Sequence, residues 1–104
     1  MPSDLADFII VGGGSAGLVL ANRLSADPMV SVTVIEAGGE ARSPWVQLPA
    51  GSGQLILNPK TDWRYEACKD PSIGGRQMPW ANGRILGGGS SINGQVYIRG
   101  TRHD

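Results

Sequence analysis

The run Ile9-Ile10-Val11-Gly12-Gly13-Gly14-Ser15-Ala16-Gly17 constrains this chain more than any other stretch. An apolar segment, Phe8 to Val11, ends in three glycines, and Ser15 to Ala21 then opens a helical pattern. Gly12, Gly14 and Gly17 fit G-x-G-x-x-G in its informative setting, after a strand and at the start of a helix. Gly12 permits the tight turn out of the strand, Gly14 lets backbone approach a pyrophosphate, and Gly17 lets the helix pack on the strand. The first N–H groups of such a helix lack partners inside it, and the helix dipole favours an anion there.

A second strand is predicted over Val30 to Ile35, which is rich in β-branched residues. It ends in Glu36, 19 residues after Gly17, the usual position for a carboxylate that accepts hydrogen bonds from a ribose. Strand, helix and acid in register argue for dinucleotide binding. The competing reading is a glycine-rich βαβ turn that holds no ligand. The unit spans residues 7–36, with the helix over 15–26 ended by Asp27-Pro28 and a right-handed crossover expected. The first strand is continuously apolar rather than alternating, so it is expected to be buried on both faces of a parallel sheet.

Beyond Glu36 the pattern changes. Residues 43–81 form an extended, proline-rich segment (Pro44, Pro49, Pro59, Pro71, Pro79) with little periodicity, unusually long for a structureless connection. Within it, Gln54 to Leu57 predicts a helical turn, Trp63 to Glu66 an edge strand, Asp70 to Arg76 a polar turn, and Gln77 to Trp80 extended chain. Residues 82–100 are again dense in glycine. Gly87-Gly88-Gly89 can bring amides against a ligand, Ser90-Ser91 can cap a helix or meet a phosphate, and Gln95 to Arg99 is expected to continue that helix to Gly100.

At 104 residues the chain suffices for one small domain, and nine basic residues balance nine acidic ones. No basic patch suggests nucleic acid, so no nucleic-acid partner is expected. A single cysteine, Cys68, excludes an intrachain disulfide, and one cysteine with one histidine argues against a metal cluster. No signal-peptide pattern and no clear membrane segment is read, so a cytoplasmic setting is expected. Cys68 has only Lys69 as an activating neighbour and reads as an inert thiol. His103 is not expected to act as a base.

The sequence resembles the glucose–methanol–choline (GMC) oxidoreductase family, choline-dehydrogenase-like members in particular. The residues that carry the likeness are Asp7 to Glu36 with Ala37-Gly38-Gly39, then Asn58-Pro59-x-x-Asp62-Trp63-x-Tyr65. The third is Gly83-Arg84-x-Leu86-Gly87-Gly88-Gly89-Ser90-Ser91-x-Asn93-Gly94-x-Val96-Tyr97-x-Arg99-Gly100. The resemblance implies an α/β chain: a Rossmann-like βαβ FAD-binding unit with a long irregular extension, incomplete as a domain. Residues 1–104 would be the N-terminal portion of that FAD-binding domain, with the substrate domain and the catalytic base lying elsewhere. No catalytic residue is assigned within the chain.

The resemblance implies FAD rather than NAD, and assigns positions one by one. Gly12, Gly14, Ser15 and Ala16 would face the pyrophosphate. Glu36 would bind the ribose, with Ala37 near the adenine and Trp63 along the adenosine side. Arg84, Gly88 and Ser91 would lie over the pyrophosphate and ribityl chain, and Asn93, Gly94 and Val96 beside the flavin ring. Some relatives attach the flavin through a histidine where this chain has Ile92. Isoleucine has no nucleophile, so non-covalent FAD is implied. The implied activity is oxidation of an alcohol CH–OH group by hydride transfer to flavin, on a small-molecule substrate, in partnership with the remainder of the polypeptide. The alternatives are a non-redox member, such as a hydroxynitrile-lyase-like protein, or an inactive, marginally stable FAD-binding fragment. A nicotinamide module would not need the second glycine segment.

Overall fold

In the computed structural model the described residues are 5–104, so most of the polar lead, residues 1–4, lies outside them. The chain is mixed α/β with small sheets. Strand β1 (Phe8–Val11) leads through helix α1 (Ser15–Leu24) to strand β2 (Val32–Ile35), and the two strands pair in parallel with Phe8 opposite Val32 and Val11 opposite Ile35. A polar clasp fixes this register. The Asp7 carboxylate accepts from the Ser31 amide (2.8 Å) and hydroxyl (2.8 Å), and the Asp7 amide donates back to Ser31 Oγ (3.0 Å).

Helix α1 stops two residues earlier than its periodicity predicts. The Ser25 amide caps it by donating to the Ala21 carbonyl, and Asp27 begins a turn by accepting the Met29 amide at 2.9 Å. Strand β2 likewise begins late, because Ser31 is committed to Asp7. The expectation of a fully buried β1 is corrected: Ile10 is buried at 9% exposure, but Phe8, Ile9 and Val11 are 45%, 63% and 84% exposed. A parallel sheet buries its strands only where both faces are covered. Here α1 lies along the sheet at Ile10, and no described element covers the rest.

The segment after β2 is not structureless. Ser43 caps helix α2 (Pro44–Gln47) by accepting the Trp45 amide, with proline at the first helical position where its missing N–H costs nothing. A 3₁₀ turn (Pro49–Gly51) runs into helix α3 (Ser52–Leu55). This helix lies two residues ahead of its predicted place because Leu57 adopts a left-handed backbone (φ 64°), which ends any helix. Strands β3 (Tyr65–Glu66) and β4 (Pro79–Trp80) pair antiparallel around the polar turn at 70–76.

The small core sits under the second glycine segment, where Leu55, Ile85 and Ile92 pack together with Ala41 and Val46. A radius of gyration of 17.5 Å exceeds the roughly 13 Å of a compact chain of this length, so the polypeptide is open rather than closed on one core. No described helix is long and apolar enough to cross a membrane.

Candidate functional site

Two glycine segments that are distant in sequence meet at the carboxyl ends of β1 and β2. The Gly12 amide extends the sheet by donating to the Ile35 carbonyl at 2.8 Å. Gly14 is the N-cap of α1 and offers no side chain to its first amides. Gly17 is required by contact, since a Cβ there would lie 2.0 Å from the Gly12 carbonyl oxygen.

The second segment docks in parallel on the first. Gly14 bridges to Gly87 and Gly39 to Ile85, through the Gly87 amide on the Gly13 carbonyl (2.7 Å) and the Leu86 amide on the Gly39 carbonyl (2.9 Å). Gly88 then crosses over Gly14. Its φ of 58° and a Cβ position only 2.9 Å from Gly14 Cα admit glycine alone without rearrangement.

Glu36 ties the turn together. One carboxylate oxygen accepts the Gly13 amide at 2.7 Å and the other the Gly38 amide at 2.8 Å. Each oxygen keeps a lone pair for a further donor. A hydroxyl pair of a sugar supplies such donors, and the side chain is already immobilised to receive them.

A cleft of about 400 Å³ opens between these parts, within the size range of small-ligand sites. Val11, Gly12 and Gly14 form one wall, Ile35, Glu36 and Ala37 a second, and Trp63, Asn82, Gly83, Gly88 and Gly89 a third. It lies outside the carboxyl ends of parallel strands, where open α/β sheets bind ligands. Trp63, 42% exposed, offers an aromatic face. Its ring is parallel to Tyr65 at 6.0 Å between centroids, and the Arg84 guanidinium carbon lies 5.2 Å from its ring centre.

Of the positions singled out in the sequence, Gly12, Gly14, Glu36, Ala37, Trp63 and Gly88 line this cleft. Ser15 and Ala16 open α1 beside it. Arg84 meets the cleft through Trp63. Ser91 turns its hydroxyl to the Leu86 carbonyl at 2.7 Å, and Ser90 turns its own to the Gly87 carbonyl at 2.7 Å. The expectation that the triple glycine aims its amides at a ligand is corrected in part. The Gly87 amide is spent on Gly13 and that of Gly88 on the Ile85 carbonyl.

Asn93, Gly94 and Val96 lie apart, around a shallow depression with Gln95 and Tyr97. The helix expected over 95–99 is absent. A 3₁₀ turn ends at Ser91, Asn93 accepts the Gln95 amide at 2.8 Å, and Gln95 takes a left-handed φ of 53°. An Asx turn of this kind competes with helix propagation. Ile92, the position of a flavin-attaching histidine in some relatives, is buried at 3% exposure in the core.

Sequence reasoning missed Asn82 and Gly83 as cleft residues, although Asn-Gly is a turn signal. It also gave no role to Asp62. Among the described residues Asp62 is the buried charged side chain, 2% exposed. Burial opposes its ionisation, but the amides of Arg64, Asn82 and Leu57 and the charge of Arg64 outweigh that, and hold the carboxyl below its usual range.

Comparison with known proteins agrees with this arrangement. The family model described as GMC oxidoreductase matches residues 6–104. The chain is 46% identical over 98 residues to an alcohol dehydrogenase [acceptor] of Pseudomonas putida, covering 94% of this chain and 18% of that protein. It is 44% identical over 99 residues to an oxygen-dependent choline dehydrogenase of Rhizobium etli (strain CIAT 652), covering 95% of this chain and 18% of that protein. Among solved structures it superposes on pyridoxine 4-oxidase from Mesorbium loti with a TM-score of 0.83 at 43% identity, over 92% of this chain and 19% of that one. A formate oxidase structure follows at a TM-score of 0.76 and 37% identity, over 85% of this chain and 16% of that one. The chain thus spans about 18% of the length of the curated relatives it matches. With the family model matched from residue 6 to residue 104 and both glycine segments joined in one cleft, the chain belongs to the GMC oxidoreductase family.

Proposed function

We propose that this chain is the N-terminal FAD-binding part of a GMC-type flavoprotein that oxidises the CH–OH group of a small-molecule alcohol. The observation that carries the reading is the convergence of Glu36, the Gly12–Gly14 turn and Gly88 on one cleft. The residues present fit the adenosine diphosphate half of the cofactor. The uncapped start of α1 suits a pyrophosphate, the fixed Glu36 carboxylate a ribose, and Trp63 a flat ring. FAD, when bound, supplies the hydride acceptor for alcohol oxidation. This chain's own residues bind and orient. Gly14 and Gly88 keep side chains out of the approach, Glu36 accepts hydroxyl protons in hydrogen bonds, and the α1 dipole offsets negative charge.

The reading assigns Asn93, Gly94 and Val96 to the flavin-ring half, with Ser15, Ala16, Arg84 and Ser91 along the pyrophosphate. It takes the βαβ unit as Rossmann-like. Relatives named for alcohol, choline, pyridoxine and formate share this segment, so selection of the electron donor lies outside it. Binding is non-covalent, because buried Ile92 has no nucleophile to offer. A cytoplasmic location belongs to the same proposal.

The test is an absorbance spectrum of the purified protein with and without added FAD, followed by denaturation and filtration. Flavin absorbance that follows the protein when native and leaves with the filtrate after denaturation is the expected result. Absence of any flavin band on full-length protein that has been incubated with excess FAD and freed of unbound cofactor would overturn the reading.

A further inference from the structure

We propose that Asp62 is the positioning residue of the cleft: its buried carboxylate clamps together the two backbone segments that carry Trp63, Asn82 and Gly83 into the cleft wall. The geometry is specific. Asp62 Oδ1 accepts the amides of Arg64 and Asn82, both at 2.9 Å, and Oδ2 accepts the amide of Leu57 at 2.7 Å. A short ladder flanks the clamp, with the Trp63 amide on the Asn82 carbonyl (2.9 Å) and the Arg84 amide on the Thr61 carbonyl (2.8 Å). Trp63 and Asn82 therefore hold their places through one side chain that does not itself line the cleft.

Two further observations point the same way. Leu57 and Arg64 are non-glycine residues with left-handed backbone, φ 64° and 58°. Such conformations persist only where the surroundings over-determine them. Both of their amides end on Asp62. Only a carboxylate satisfies all three amides at once. Three N–H donors converge on its two oxygens, and an asparagine would have one acceptor oxygen and would turn its NH₂ donors toward an N–H. Buried at 2% exposure, the group has no solvent to take over this role.

The ligand side of the proposal rests on the FAD reading above; the clamp itself does not. The experiment therefore uses two readouts on full-length protein carrying Asp62→Ala or Asp62→Asn. The first is the FAD dissociation constant, followed by flavin fluorescence. The second is amide hydrogen exchange at Leu57, Arg64 and Asn82 without ligand. Asp70→Asn is the control, since Asp70 accepts the Ser72 amide in an exposed turn away from the cleft. Loss of a charge-assisted hydrogen bond in Asp62→Ala is expected to weaken FAD about tenfold or more and to speed exchange at Arg64 and Asn82 by a similar factor. Asp62→Asn keeps Oδ1 for those two amides. It is expected to recover most of the affinity while Leu57 alone loses protection. A merely structural aspartate would give FAD affinities unchanged in both variants, or equally weakened in both, and either pattern overturns the proposal. If Asp62→Ala does not fold, the exchange pattern of Asp62→Asn decides: protection lost at Leu57 supports the clamp, and protection unchanged at Leu57, Arg64 and Asn82 alike sinks it. If the unaltered protein binds no FAD, the functional reading fails, and the clamp is judged on exchange alone.

Discussion

Gly88 rests directly on Gly14: the Cβ of any other residue at position 88 would lie 2.9 Å from the Gly14 Cα. Residues from opposite ends of the chain thus meet backbone to backbone at the cleft. Gly88→Ala forces the segments apart and also places a side chain at φ 58°. Overpacking of this kind costs about 1–3 kcal/mol, and the left-handed backbone adds about 1 kcal/mol or more. We expect a lower urea midpoint and a widened cleft that binds FAD weakly. Unfolding curves and a flavin titration on the same sample check both. Wild-type values for each would show that the two segments are not in contact.

Glu36 does two jobs with one carboxylate, holding the Gly13 and Gly38 amides and keeping a lone pair on each oxygen. Glu36→Gln must turn its NH₂ toward one of those amides. We expect FAD and ADP to lose affinity together, by roughly tenfold to a hundredfold, as for the loss of a charge-assisted hydrogen bond. Equilibrium dialysis with each ligand measures it. Weakened FAD with unchanged ADP would move Glu36 away from the adenosine half.

The βαβ unit was legible because each of its signals is local: an apolar run, glycines at fixed spacing, a β-branched run, an acid at its end. The burial of β1 was not, because Ile9 and Val11 look like core residues whatever covers them. The resemblance brought Gly14 and Gly88 to the same pyrophosphate, but did not give the direct backbone pairing of Gly13 and Gly14 with Gly87 and Gly88. Each segment reads as a glycine-rich turn, and nothing in either announces a partner more than 70 residues away. The failed helix over 95–99 has a local cause that sequence reasoning underweighted, namely Asn93 followed by Gly94, which makes an Asx turn cheap. Asp62 sat inside a recognised motif without a role, since clamping depends on Asn82, 20 residues on.

Trp63 carries Arg84 over its ring, with 5.2 Å from the guanidinium carbon to the ring centre. At a half-exposed site a cation–π contact contributes about 0.5–1 kcal/mol. A double-mutant cycle of Trp63→Leu and Arg84→Gln should return a coupling of that size in the unfolding free energy. Trp63→Leu should also weaken ADP, because the cleft loses its flat aromatic wall. Zero coupling would mean that the two side chains act independently.

Three aspartates make stability fall on the acid side. Asp7 is held below its ordinary value of 3.8 by the amide and hydroxyl of Ser31, and Asp70 by the hydroxyl and amide of Ser72. For Asp62 burial opposes ionisation, yet the amides of Arg64, Asn82 and Leu57 outweigh it and the net direction is again down. A depressed folded value means that the unfolded chain binds more protons, so stability rises with pH across this window. The contribution is complete above the unfolded value near 3.8 and is lost as pH falls through the lower folded values. Asp7 and Asp70 are exposed, and solvent screens them, so Asp62 should dominate. Asp62→Asn is expected to cost roughly 1–3 kcal/mol at neutral pH. The gap to the unaltered protein should narrow as pH drops below about 4, where the unfolded chain's carboxylate takes up a proton that the folded Asp62 still refuses. Urea unfolding of both proteins from neutral to acid pH measures this. A gap that stays constant across the range would mean that Asp62 stabilises by shape and not by charge.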